Sequence, residues 1–155
     1  MLYRPLEGSS PGDIIQYRPS HSFDTLSEKL NDDPDDQRLL EDRGWLFSKT
    51  GQYDRAIKDF NAAIASDAGH NPQHRARLLC RIGITYYTKG NLSEAIKAYT
   101  AAINTDEDNW ELYFHRWLAL LHAGRTDEAA ADKEKGLSLR PDVFELKYSS
   151  VGGII

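Results

Sequence analysis

The chain has 155 residues, 40% apolar and 28% charged, which is enough apolar material for one packed domain of ordinary soluble composition. Its net charge of −5 sits entirely in residues 1–36, where three basic residues face eight acids, so the remaining body is neutral and poorly suited to nucleic acid. No run approaches the roughly 18 apolar residues of a membrane helix, and a lone cysteine, Cys80, excludes an intramolecular disulfide and argues against structural zinc.

Residues 1–21 are rich in Pro, Gly, Ser and His and read as a flexible arm. They lack a basic flank followed by an apolar run, so no secretory leader is expected and a cytoplasmic setting fits. Residues 22–36 read as a short capping helix and an acidic linker: Phe23, Leu26 and Leu30 share one face, and Pro34 stops the helix. From Gln37 the pattern is strongly helical. Leu39, Leu40, Gly44 and Phe47 recur at helical spacing until Gly51, and Tyr53, Ala56, Ile57, Phe60, Ala63 and Ile64 follow at i, i+3, i+4.

The unit then repeats. Gly51 pairs with Gly90, Ala56 with Ala95, Phe60 with Tyr99 and Ile64 with Ile103, always 39 residues apart. Asn71 and Pro72 open the second unit as N-cap and first helical residue, Asn91 caps its second helix, and Asn109 opens a third unit. Gly124 follows Gly90 by 34 residues, so the first interval holds five extra residues, assigned to 71–75, which lengthen the first helix of unit two. Repetition at this period means stacked supersecondary units, each too small to bury its own apolar face.

These residues resemble the tetratricopeptide repeat, with its pattern W-x2-L-G-x2-Y, A-x3-F and P over 34 residues. Unit one supplies Leu40, Arg43, Gly44, Phe47, Ala56 and Phe60; unit two Leu79, Ile82, Gly83, Tyr86, Ala95 and Tyr99; unit three Tyr113, Arg116, Trp117, Leu120, Ala129 and Pro141. Unit three departs from the pattern. Trp117 stands where the family has Gly and Lys133 where it has an aromatic, and Gly136 lies inside the last helix at a cost of about 1 kcal/mol relative to Ala. The resemblance implies an all-α, right-handed superhelical solenoid. Its units are 37–70, 76–109 and 110–143, around the insert 71–75, and residues 144–155 form a cap or tail.

In the resembled family the first helix of each unit lines a concave groove. That implies a partner-binding set of Arg38, Trp45, Arg77, Arg81, Ile84, Tyr87, Phe114, His115, Leu118, Leu121 and His122. Its apolar members form a trough for a peptide or helix, or else belong to the core of a compact all-α protein. Arg77 and Arg81 are i, i+4 neighbours suited to an acidic partner, unless they are balanced by the protein's own acidic leader, which would then compete for the groove. The positions with which chaperone-binding relatives clamp a terminal carboxylate hold Glu41, Trp45, Arg81, Glu111 and His115 here, which excludes that ligand class.

No phosphate loop, nucleophile elbow or paired cysteine ligands occur. The pairs His70/His74 and His115/His122 lack a carboxylate at ligand spacing, and "NDDPDD" lacks the Gly and terminal Glu of a calcium loop. The expectation is therefore no catalytic, cofactor or metal residues and a non-enzymatic module binding protein or peptide, not nucleic acid or membrane. Two alternatives stand beside it. One is a dedicated chaperone similar to the translocator chaperones of type III secretion; the other is a structural homo-oligomer.

Overall fold

The computed structural model describes residues 22–67 and 70–151, so the expected arm, 1–21, lies outside the described residues. Among the described residues there are eight helices and no strand: α1 Phe23–Asp32, α2 Gln37–Lys49, α3 Tyr53–Ala65, α4 Pro72–Lys89, α5 Leu92–Thr105, α6 Trp110–His122, α7 Thr126–Leu139 and α8 Pro141–Val151. They pack as the hairpins α2/α3, α4/α5 and α6/α7, stacked in chain order, with α1 against α2 and α8 against α6 and α7. The fold is an all-α solenoid.

Local chemistry sets the boundaries. The Asp36 carboxylate accepts from the backbone amides of Arg38 (2.9 Å) and Leu39 (3.1 Å) to start α2. Asn71, Asn91 and Asn109 do the same for α4, α5 and α6. The first helix of each hairpin ends in a glycine at positive φ: Gly51 at 77°, Gly90 at 90° and Gly124 at 74°. That left-handed residue lets the next amide bond back to the closing turn, as Gln52 does to Phe47 (2.8 Å) and Asn91 to Tyr86 (2.9 Å). At 18 residues α4 is five longer than α2 or α6.

The first two hairpins each close on one tight contact. A Cβ on Gly44 would lie 2.8 Å from the Phe60 ring, and one on Gly83 2.5 Å from the Tyr99 ring. Each aromatic thus presses on the glycine of its own hairpin and also reaches the next one, Tyr99 stacking on His115 of α6 and Phe60 lining the space beside α4. Unit three is built differently. Trp117 is buried between Phe114 (5.4 Å between centroids) and Phe144 (6.1 Å). The expectation that Gly136 is merely a weak point needs correction: its missing Cβ is the space into which Phe144 of α8 fits, and Phe144 is fully buried.

A second seam alternates in chemistry. Arg43 grips Asp59 with two hydrogen bonds of 2.7 and 2.9 Å, joining α2 to α3. Arg116 grips Asp132 at 2.7 and 2.6 Å, joining α6 to α7, and also donates to Thr100 Oγ1 on α5 (3.1 Å). The corresponding positions of unit two are Ile82 and Ala98, both buried.

Candidate interaction surface

The face formed by α2, α4 and α6 carries the predicted set. Trp45 on α2, Ile84 and Tyr87 on α4, and Leu118 and Leu121 on α6 are all half-buried, and Arg38 is exposed. Tyr87 and His122 meet across the α4–α6 seam. Their rings stack at 5.7 Å between centroids, and Tyr87 Oη and His122 Nδ1 share a hydrogen bond of 2.5 Å.

Three members of the set lie deeper than expected. Phe114 is buried against Phe144, because α8 covers that side of α6. His115 is buried too, stacked on Tyr99 at 5.8 Å between centroids and edge-on to Phe114. Burial, with the nearby Lys147 charge second, lowers the His115 pKa to about 3, so the ring is neutral at physiological pH. Phe114 and His115 are thus part of the core, and His115 is far removed in environment from exposed His122.

Arg81 is the third. Only 5% of it is exposed, and its Nη1 lies 3.4 Å from Oε1 of Glu41. Burial, opposed chiefly by Glu41, pulls its pKa down to about 10, which still leaves it charged. The same carboxylate faces Arg77 Nε at 3.9 Å and His74 Nε2 at 3.5 Å, while Arg77 Nη2 donates to His74 Nδ1. Desolvation is the largest influence on His74 and lowers its pKa. The pair predicted to orient a ligand is therefore occupied at its inner end by Glu41. Glu41 comes from α2, and the part of the leader among the described residues, Phe23–Asp32 of α1, packs on α2. Arg77 keeps 40% of its side chain exposed.

Charge on this face is one-sided. The acids of α2 and α6, Glu41, Asp42 and Glu111, are all buried, and α4 has none. Arg38, Lys49, Arg75 and Lys89 are exposed, Lys89 being paired with Asp54 of α3 at 2.7 Å. The second helices differ: Asp54, Asp127, Glu128 and Glu134 are exposed there. Sequence reasoning missed Glu41 as the partner of Arg81, and Lys147 of α8, which reaches Glu111 at 3.5 Å. Both acids stand on the face that the resemblance assigned, but periodicity gives a face and not a depth.

A cleft of about 60 Å³ opens between α2 and α4, lined by Trp45, Ser48, Lys49, Phe60, Arg81, Ile84 and Thr85. Thr85 Oγ1 donates to the carbonyl of Arg81 (2.8 Å), and Ser48 Oγ is 3.3 Å from it. Lys49 Nζ lies 5.2 Å from the centre of the Trp45 ring. Cys80 is fully buried, and burial pushes its thiol pKa up, the opposite of activation.

Stacked helical hairpins with one continuous face built from the first helix of each define a repeat solenoid. Two sequence profiles described as tetratricopeptide repeat match residues 38–108 and 80–142, and the chain belongs to that family. It is 42% identical over 57 residues to the tetratricopeptide repeat and J domain-containing co-chaperone DNJ1 of Fusarium oxysporum f. sp. lycopersici, covering 37% of this chain and 11% of that protein. It is 32% identical over 81 residues to neutrophil cytosol factor 2 of Bos taurus, covering 52% of this chain and 15% of that one. The chain thus spans about a tenth to a seventh of the length of these relatives. Among solved structures, MamA superposes with a TM-score of 0.67 at 20% identity, over 84% of this chain and 77% of its own, a likeness of fold. The second repeat domain of Spaghetti (RPAP3), bound to the HSP90 peptide SRMEEVD, gives 0.58 at 28% identity, over 77% and 100%.

Proposed function

We propose that the chain is a non-enzymatic interaction module that holds an extended or helical segment of a partner protein against α2, α4 and α6. The observation that carries this is the composition of that face: half-buried Trp45, Ile84, Tyr87, Leu118 and Leu121, with exposed Arg38, Lys49 and Arg75 on the same three helices and no exposed acid on those helices. Association buries the apolar anchors, and the cations favour a segment that also bears acids. A cytoplasmic setting belongs to this reading.

The reading does not extend to the peptide in the RPAP3 structure. The positions that would grip a terminal carboxylate include the buried acids Glu41 and Glu111, and Arg81 is already engaged by Glu41. A client-dedicated chaperone is a narrower form of the same reading, supported by the likeness to a co-chaperone over 57 residues.

The test is partner capture with wild type and an Ile84→Glu/Leu118→Glu double variant of equal helicity. A partner retained by wild type and lost by the variant supports the face. A partner retained by both moves binding elsewhere, and capture of only the protein itself makes it a homo-oligomer.

A further inference from the structure

The cleft between α2 and α4 gives the proposed face a chemical preference. Its walls are mostly carbon, from Trp45, Ile84 and Phe60. Its hydroxyls are used internally, Thr85 by the Arg81 carbonyl and Ser48 by Thr85. Its one buried charge, Arg81, is met by Glu41. An apolar group entering here buries carbon against carbon and leaves the Ser48–Thr85 and Thr85–Arg81 hydrogen bonds intact. A cavity of about 60 Å³ exceeds the 10–15 Å³ that one water needs and falls short of the 150 Å³ that holds an aromatic ring. That size suits a branched aliphatic side chain.

The rim differs from the floor. Lys49 stands on one side over Trp45. On the other, Arg81 leads through Glu41 to Arg77, with its outer part exposed, and Arg38 is one turn before Glu41 on α2. Resting on the reading above, we infer that this cleft is the anchoring subsite, and that it takes a branched aliphatic side chain of a protein segment whose flanking carboxylates lie over Lys49, Arg77 and Arg38.

The experiment is selection from a display library of random short peptides on the intact protein. Binders are then resynthesised and measured against wild type, Ile84→Trp, Arg77→Glu and Leu118→Glu. The expected binders combine Leu, Ile or Val with Asp or Glu on either side. Replacing that aliphatic residue by Ala, or filling the cleft by Ile84→Trp, weakens them about tenfold, and Arg77→Glu weakens them about fivefold. The Trp45 contribution to fluorescence, taken as the difference between wild type and Trp45→Phe because Trp110 and Trp117 also emit, changes on binding, a readout independent of whether Ile84→Trp folds. Binders without acids, or binders lost in Leu118→Glu that leave Trp45 fluorescence unchanged, overturn the cleft and leave the broader face standing. No binders at all, or binders indifferent to every variant, overturn both.

Discussion

Units one and two close their hairpins with a glycine beneath an aromatic ring, whereas unit three has Trp117 at the glycine position and Lys133 at the aromatic one. In unit three Trp117 packs instead on Phe114 and on Phe144 of α8, and the glycine–aromatic contact moves downstream to Gly136 and Phe144. The ion-pair seam repeats the lesson. Arg43–Asp59 and Arg116–Asp132 bracket a unit that uses Ile82 and Ala98 at the same places. What the stack requires at each seam is filled volume and satisfied polar atoms; which residue supplies them is open.

The comparison can be broken hardest at Phe144. Phe144→Ala removes the ring that Gly136 admits and that Trp110, Phe114 and Trp117 touch, and should cost about 3–5 kcal/mol. Chemical denaturation measures the loss, and amide exchange should locate it in α6 to α8. Next comes Arg116→Ile, which leaves the buried carboxylate of Asp132 without its grip and should cost about 3 kcal/mol. Adding Asp132→Ala installs the unit-two pair in unit three and should recover all but about 1 kcal/mol. Failure of the double variant to recover would mean that the seams are not interchangeable.

Protonation gives a smaller handle. The His115 pKa is about 3 in the fold against about 6.5 unfolded, so between these values the unfolded chain binds the extra proton. Stability from this group is present above pH 6.5 and lost as pH falls. Between pH 7 and 5 the loss should be about 2 kcal/mol, and the melting curves of His115→Phe should lack that share. Smallest is Gly136→Ala, where collision with Phe144 outweighs the gain in helix propensity and leaves a net loss of about 1 kcal/mol. In a Phe144→Ala background the same change should stabilise by about 1 kcal/mol, and a sign that does not invert would refute the pairing.

Much of this architecture was legible in the sequence. Asn71, Asn91 and Asn109 mark helix starts, Gly51, Gly90 and Gly124 mark ends, and the repeated Ala and aromatic positions give the stacking. The candidate face was legible less evenly. Trp45, Ile84, Tyr87, Leu118 and Leu121 lie together on one side, but Phe114, His115 and Arg81 are buried. The reason is α8. A helix with one apolar stripe shows its depth in its pattern, but α6 is buried from Glu111 to His115 and again at Trp117, Ala119 and Leu120, so its pattern names no open side. Arg81 was misread for another reason: its counter-charge, Glu41, comes from a different helix 40 residues earlier, beyond the reach of local spacing.

Cys80 acquires a use from its place in the stack. It is the chain's lone cysteine and is fully buried, in α4 of the central hairpin. A thiol reagent therefore reacts at one site and only after the middle of the stack parts. The rate of that single reaction, read with and without a bound segment, clocks how often neighbouring units separate and how firmly an occupant clasps them together.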